Sequence, residues 1–308
     1  MSKPRSIVID YAVYLLIRIT VCVIQALSWR QARGLAGGLA WLAHRVDRRH
    51  RMVAEENLRH ALGASLDEAQ AADLVKSVYE HFCAVLIEII LLPRKLHANN
   101  WRHYMDLKGG KHLVECLLSG RPLLLVTGHF GNWELAGYAL GLFGFRAHAI
   151  ARPLDNPFLD SYFRLFRERT GQKVLAKKGD FDQIQAILDQ GGVLATLADQ
   201  DAGERGLFVN FFGKPASTHK AVALLALEHR VPMLVIGAPR VGKPMRYDVV
   251  ADDLILPEDY EGQPDAIRTI TQRYTSALER LIRTAPGQYF WLHRRWKHQP
   301  AQRRRRVA

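Results

Sequence analysis

Two periodicities divide the chain. Up to about residue 95, apolar positions recur at three- and four-residue steps, as on helices packed along one face; beyond residue 122, short apolar runs alternate with helical stretches. In the first part, ASLDEAQAADLVKSVYEHFCAVLIEIILLP predicts a long helix with Ser65 as N-cap, acids in its first turns and Pro93 at its end. In the second part, LLLVT (123–127) predicts a buried strand and a helix begins near Asn132. RAHAIA (146–151) is a second strand, followed by a helix through DSYFRLFRERTG, and VLATLA (193–198) is a third. STHKAVALLALEHR (217–230) reads as a helix capped by Ser217 and Thr218, MLVIGAP (233–239) as a fourth strand, and RYDVVADDL as a fifth. AIRTITQRYTSALERLIRTAPG closes the pattern as an amphipathic helix with Gly287 just past its end. Such alternation predicts an α/β fold, a central mostly parallel or mixed sheet flanked by helices. The simplest partition is a helical N-terminal region over 1–95, an α/β domain over 96–300 and a basic tail over 301–308.

Residues 6–27, SIVIDYAVYLLIRITVCVIQAL, form an apolar helix interrupted by Asp10 and Arg18. At 100° per residue, Lys3, Asp10, Arg18 and Gln25 fall within an arc of about 80°, a single polar seam. A cleaved signal peptide fits poorly, because two charges break the apolar run and no small-residue cleavage site follows. Two readings remain: a membrane-associated helix with its seam turned to protein or headgroups, or a helix packed on the body. A mean hydropathy of −0.10 argues against a multi-spanning protein.

Composition narrows the classes. With 48% hydrophobic and 24% charged residues the chain is globular, and Cys22, Cys83 and Cys116 lie too far apart to suggest a disulfide framework or a zinc cluster. The net charge of +13 favours acidic partners: nucleic acid, anionic headgroups or an acidic carrier protein. HRVDRRHR (44–51) suits headgroups or a solvated helix face equally well. Residues 293–306 hold seven Arg or Lys and no acid, and the last six residues read as a soluble end.

The candidate chemistry lies in LLLVTGHFGNWELAG (123–137), where Glu134 follows His129 by five positions. Spacing alone proves nothing: thirteen histidines and thirty acids in 308 residues make one or two such pairs expected by chance, and the chain holds two, the other being His50 with Glu55. That second pair sits in a charge-rich helical stretch with no adjoining strand end. Setting distinguishes the first. Gly128 and Gly131 flank His129, and Asn132 can cap a helix starting at Trp133, which puts the imidazole in the turn off a strand and Glu134 in the first helical turn, where the dipole favours its charge. A carboxylate beside an imidazole fixes its tautomer and makes the other nitrogen a base. Equally open is a structural histidine beside an acid that satisfies a helix terminus. There is no GxSxG and no cysteine in a nucleophilic setting, so a base here would deprotonate a bound hydroxyl or water directly.

These residues sit among further ordered motifs: AEENLRHAL (54–62), GHFGNWE, ARPLDNP (151–157), LADQD (197–201), VNFFGKPAST (209–218) and QYFWLHRRWK (288–297). Together, along nearly the whole chain, they resemble the late lauroyl/myristoyl acyltransferases of lipid A biosynthesis and the related phosphatidylinositol mannoside acyltransferases. The resemblance implies a glycerolipid-acyltransferase-like fold, an acyl carrier protein or coenzyme A thioester as donor, and a hydroxyl of an anionic membrane glycolipid as acceptor. It also implies a place on the cytoplasmic face of the inner membrane, anchored by the N-terminal helix, with no cofactor or metal beyond the phosphopantetheine of the donor. By match to the family's motifs His129 would be the general base, Glu134 its partner and Arg152 an oxyanion donor, helped by amides near Asn132. Asn132, Asn156, Asp199, Gln200, Phe212, Lys214 and Arg294 are the residues expected to contact substrate, Arg294 (with Arg295) through phosphate.

Three rivals are weaker. Glycerol-phosphate acyltransferases use H-x4-D and an FPEG segment, whereas this chain has Glu134 and no PEG tripeptide. A nucleic-acid binder would need a basic stripe interleaved with aromatics beyond the extreme C-terminus. A zinc hydrolase would need a motif such as HExxH, which is missing.

Overall fold

The computed structural model describes residues 6–145, 147–151, 153–168, 172–176, 181–242 and 244–300. Lys3, Arg152 and the tail 301–308 lie outside them.

Four helices come first: α1 (Ile7–Ala26), α2 (Trp29–Val46), α3 (Arg48–Leu62) and α4 (Glu68–Lys95). The cap of α4 is Asp67, not the expected Ser65. Asp67 and Gln70 form a reciprocal capping box, while the Ser65 hydroxyl bonds back to the Leu62 carbonyl. Nor does Pro93 end α4, which runs on to Lys95.

The α/β part holds β1 (Met105–Lys108), α5 (Gly110–Leu118), β2 (Leu123–Thr127), α6 (Trp133–Leu142), β3 (Ala147–Ala151), α7 (Pro157–Glu168), β4 (Lys173–Ala176), α8 (Phe181–Asp189) and β5 (Val193–Leu197). It continues with β6 (Leu207–Phe211), β7 (Lys214–Thr218), α9 (Ala221–Glu228), β8 (Met233–Gly237), β9 (Tyr247–Ile255) and α10 (Ala266–Thr284). Seven strands form one mixed sheet in the order β1-β9-β8-β2-β5-β3-β4, with β8 and β9 antiparallel and every other pair parallel. β6 and β7 form a separate antiparallel hairpin.

β2 shows why a run of consecutive apolar residues makes a central strand. Leu124 and Val126 enter the core shared with α8, α9 and α10, while Leu123 and Leu125 enter the core shared with α5 and α6. Both faces are covered, so neither parity can be polar.

Sequence pattern missed β1, β4 and the hairpin. It also extended a helix over Ser217 and Thr218, which are buried residues of β7; the helix after them begins at Ala221. Those β-branched and hydroxyl residues satisfy the strand ladder and Arg295 instead of a helix terminus.

α1 is long and apolar enough to cross a membrane by length and composition, and Ile7, Val8, Leu16 and Ile19 are exposed on it. Its polar seam meets protein. The carbonyl of buried Asp10 accepts from Asn156 at 2.8 Å, and Gln25 donates to the Ile90 carbonyl on α4 at 3.1 Å. Arg18 lies over the rings of Tyr14 and of Tyr162 on α7. The three cysteines are free.

Candidate active site

Register builds the centre of the site. In the parallel β2/β5 pair Thr127 faces Leu197, and both strands end there. Two residues further on, His129 and Asp199 therefore emerge side by side at the carboxyl edge of the sheet, 70 positions apart in sequence. The His129 Nδ1 is 2.9 Å from Asp199 Oδ1, and the His129 amide donates to Oδ2 at 2.8 Å. An ionised carboxylate can only accept, so Nδ1 carries the proton and Nε2 keeps its lone pair. The imidazole side chain is 19% exposed and the Asp199 carboxylate 3%, so one partner is partly open to solvent and the other is enclosed. Trp133 lies edge-on to the imidazole at 5.0 Å between centroids, and the Phe290 ring is 5.9 Å away.

Burial disfavours the imidazolium, but the charge and hydrogen bond of Asp199, then the more distant charge of Glu134, outweigh it and raise the His129 pKa. Burial likewise pushes the Asp199 carboxyl up, yet His129 holds it below the usual carboxylate range. The pair is thus an ion pair whenever His129 is protonated. Beside it, burial and then the Asp199 charge raise the Tyr289 phenol well above its usual pKa, so it stays neutral.

Setting and motif pointed instead to Glu134 as the partner. Glu134 does start α6, but its carboxylate is gripped by Arg167 of α7, with Nε to Oε2 at 3.1 Å and a second, shorter bond from Nη2 to Oε1. Its influence on His129 is through charge alone. Asp199, expected to touch substrate, is the residue that orients the imidazole.

Several other expected contacts are turned inward. Asn132 is fully buried: its Oδ1 caps Leu135 at 2.9 Å and its Nδ2 reaches Glu88 and Tyr247. Its role as N-cap matches the reading from sequence, but it reaches no cleft. Asn156 is also buried, capping α7 through Phe158 and Leu159 and tying it to α1. Phe212 packs on Trp291 and Arg283 at the hairpin tip, in the core. Their polar or aromatic groups are consumed by folding contacts that sequence spacing does not reveal. Lys214 is exposed but bonded to His60 of α3, with no contact to His129. Gln200, next to Asp199, is exposed, and so is Arg294. Arg295, paired with it in the sequence reading, is buried, donating to the Ser217 carbonyl at 2.5 Å and Thr218 Oγ1 at 2.6 Å.

Behind the histidine turn lies a polar assembly that no motif announced. Glu88 of α4 accepts from both terminal guanidinium nitrogens of Arg240, from the Tyr247 hydroxyl and, at 3.5 Å, from Asn132. Gln288 donates to the Arg240 carbonyl at 3.0 Å, accepts from the Arg240 amide at 2.7 Å, and its own carbonyl accepts the Gly131 amide at 3.0 Å. His81 donates to the Gly131 carbonyl at 3.0 Å; burial, then Arg240, push its pKa down to about 4, so it is neutral. The turn is therefore fixed from behind while His129 faces outward.

Gly131 shows how tight this is. Its φ is +62°, and a Cβ there would stand 1.9 Å from the Ala238 carbonyl oxygen. Gly131→Ala is expected to lower stability by more than about 2 kcal/mol, from left-handed strain of about 1–2 kcal/mol plus that clash. Thermal unfolding in detergent checks it, and a variant as stable as the parent would show that the turn can relax.

Among the described residues no group of three His, Cys, Asp or Glu side chains is placed to hold a metal ion. What remains is an imidazole whose Nε2 has no hydrogen-bond partner among the described residues, at the edge of a sheet, beside a helix start whose Trp133 and Glu134 amides precede any intrahelical acceptor.

Comparison with known proteins agrees in scope. The family model described as bacterial lipid A biosynthesis acyltransferase matches residues 2–298. The chain is 27% identical over 271 residues to the lipid A biosynthesis lauroyltransferase of Escherichia coli K12, covering 86% of this chain and 85% of that protein. It is 26% identical over 201 residues to the lipid A biosynthesis palmitoleoyltransferase of the same organism, covering 65% and 63%. It is 29% identical over 187 residues to the phosphatidylinositol mannoside acyltransferase of Mycobacterium tuberculosis H37Rv, covering 58% and 59%. With a mixed α/β sheet, an apolar N-terminal helix and a match along nearly its full length, the chain belongs to the bacterial lipid A biosynthesis acyltransferase family and is an O-acyltransferase of lipid A or a related glycolipid.

Proposed function

We propose that the enzyme moves a fatty acyl group from an acyl carrier protein or coenzyme A thioester to a hydroxyl of a lipid A precursor, with His129 as general base. The observation that carries this is the His129–Asp199 pair at the sheet edge, with Nδ1 engaged and Nε2 without a partner among the described residues. Nε2 takes the proton of the acceptor hydroxyl as its oxygen attacks the thioester carbonyl. A tetrahedral oxyanion forms, the C–S bond breaks, and the departing thiolate recovers the proton from Nε2. No acyl-enzyme is required. Asp199 holds the tautomer and stabilises the imidazolium. Glu134, fixed by Arg167, adds negative charge from the other side. The Trp133 and Glu134 amides supply oxyanion donors, and Arg152, by its motif, is a third.

α1 holds the enzyme at the bilayer where a glycolipid acceptor lies, with the α/β part on the cytoplasmic face, the side on which acyl thioesters are made. The test is purified enzyme in detergent with a lipid A precursor and an acyl thioester. The acceptor should gain one acyl group as one thiol is released, and His129→Ala should reduce transfer by at least about a hundredfold. Wild-type-like transfer by the variant, or thiol release without an acylated product, would refute the reading.

A further inference from the structure

α3 presents Arg48, Arg49 and Arg59 along an exposed flank, and with Arg294 they line an open cleft of about 730 Å³. Among the described residues none of these four has a carboxylate partner. Two acids share the lining: Glu55, which faces Arg51 at 3.9 Å, and Glu56. Four arginines against two glutamates leave the cleft cationic. Met52, 57% exposed, gives it an apolar spot.

This flank is continuous with the catalytic centre. Asn57, buried on the inner side of α3, donates to the carbonyls of Trp291 at 2.7 Å and His293 at 2.8 Å. The segment so held also carries Phe290, whose amide donates to the His129 carbonyl at 3.0 Å, and ends at the rim with Arg294. One stretch of backbone therefore spans from the base to the cationic cleft. His293 accepts from the Asp201 amide at 3.0 Å and so fixes the same segment to the loop after Asp199.

Resting on the acyl-transfer reading above, we propose that this cleft is the docking surface for an acidic acyl carrier protein, which lays a carboxylate-bearing helix along α3 and passes its phosphopantetheine thioester inward to His129. Charge complementarity selects the partner: arginines bind carboxylates by paired hydrogen bonds, and cationic rims accelerate encounter with acidic proteins. A membrane is the poorer occupant. A helix lying in the interface inserts a large apolar face, whereas Leu58 and Ala54 are buried in the core and Met52 is the large apolar side chain exposed on α3; the exposed Trp41, Leu42 and Val46 belong to α2 and do not line the cleft. A charged rim around a small apolar spot has the make-up of a transient protein interface.

The experiment uses full-length enzyme in detergent with two donors carrying the same acyl chain, one on holo acyl carrier protein and one on free pantetheine, which has no charge. Arg49→Glu and Arg59→Glu, alone and combined, should raise KM for the carrier thioester, by about tenfold for the pair, with kcat little changed. Transfer from acyl-pantetheine should stay within about twofold, which also reports intact folding. Added salt should weaken the parent's use of the carrier donor more than the variant's. Equal effects on both donors, or none on the carrier donor, overturn the docking surface. Loss of binding to anionic vesicles with an unchanged carrier KM also overturns it and assigns the flank to lipid. If the parent uses acyl-pantetheine or acyl-coenzyme A but not the carrier thioester, the carrier as donor falls with it; if the parent uses the carrier and the variants do too, only the surface falls.

Discussion

Replacing Asp199 with asparagine lowers acyl transfer about a thousandfold or more while the protein stays folded. The carboxylate accepts from Nδ1 and from the His129 amide at once, and an amide with one oxygen cannot do both from two acceptor atoms. If its NH2 faces Nδ1, the imidazole is driven to the tautomer whose Nε2 is protonated, which is useless as a base. The negative charge that stabilises the imidazolium is lost as well. The pH profile carries a second signature. Burial opposes the His129 imidazolium, but Asp199 first and Glu134 second overcome it, so the parent's pKa lies above the ordinary value of about 6.5. The base form exists only above that raised pKa, so kcat/KM falls as pH drops through it. In the asparagine variant, burial is opposed only by Glu134, and the inflection moves to lower pH. A rate within tenfold of the parent, with an unmoved inflection, would remove Asp199 from the mechanism.

The largest loss of stability is expected from Glu88→Ala. The Glu88 side chain is 2% exposed and that of Arg240 18%, and alanine leaves the guanidinium and the Tyr247 hydroxyl without their acceptor. Breaking a buried pair from one side costs about 3–5 kcal/mol, chiefly because a charge stays enclosed with nothing to meet it. Glu88→Met with Arg240→Met removes both charges and should recover much of that loss. The consequence for activity is separate. Gln288 meets only the main chain of Arg240 and keeps its grip on Gly131, but the methionine pair lacks the carboxylate that accepts from Asn132 at the start of α6, so the double variant should regain stability and still transfer less than the parent. Chemical unfolding beside the transfer assay checks both. A single variant within about 1 kcal/mol of the parent would show that solvent or a neighbour replaces the lost acceptor.

These two predictions rest on contacts of different sequence range, and that range explains what could be read in advance. The turn from β2 into α6 was legible because its signals are local: an apolar run, two glycines and an asparagine that caps three residues on. Glu134 was singled out for the same reason, being near His129 along the chain. Asp199 stood in a noted motif but was assigned to substrate, since nothing in LADQD reveals which strand it will lie beside. Arg167 and Glu88 carried no signal, as charged residues on helices are ordinarily solvated.

By itself the sequence determined the α/β class, the apolar N-terminal helix, the strand that leads into His129, the cap at Asn132 and, through its ordered motifs, the family. Each depends on periodicity, on local backbone chemistry or on residue order, which a linear chain contains in full. The tertiary structure alone decided which carboxylate meets His129. Parallel pairing of β2 with β5 set His129 against Asp199, packing of α7 gave Glu134 to Arg167, and burial turned Asn132, Asn156 and Phe212 from candidate contacts into supports. The physical reason is that a hydrogen bond between side chains needs about 3 Å in space and has no requirement along the chain, so strand register, unlike sequence spacing, chooses the partner.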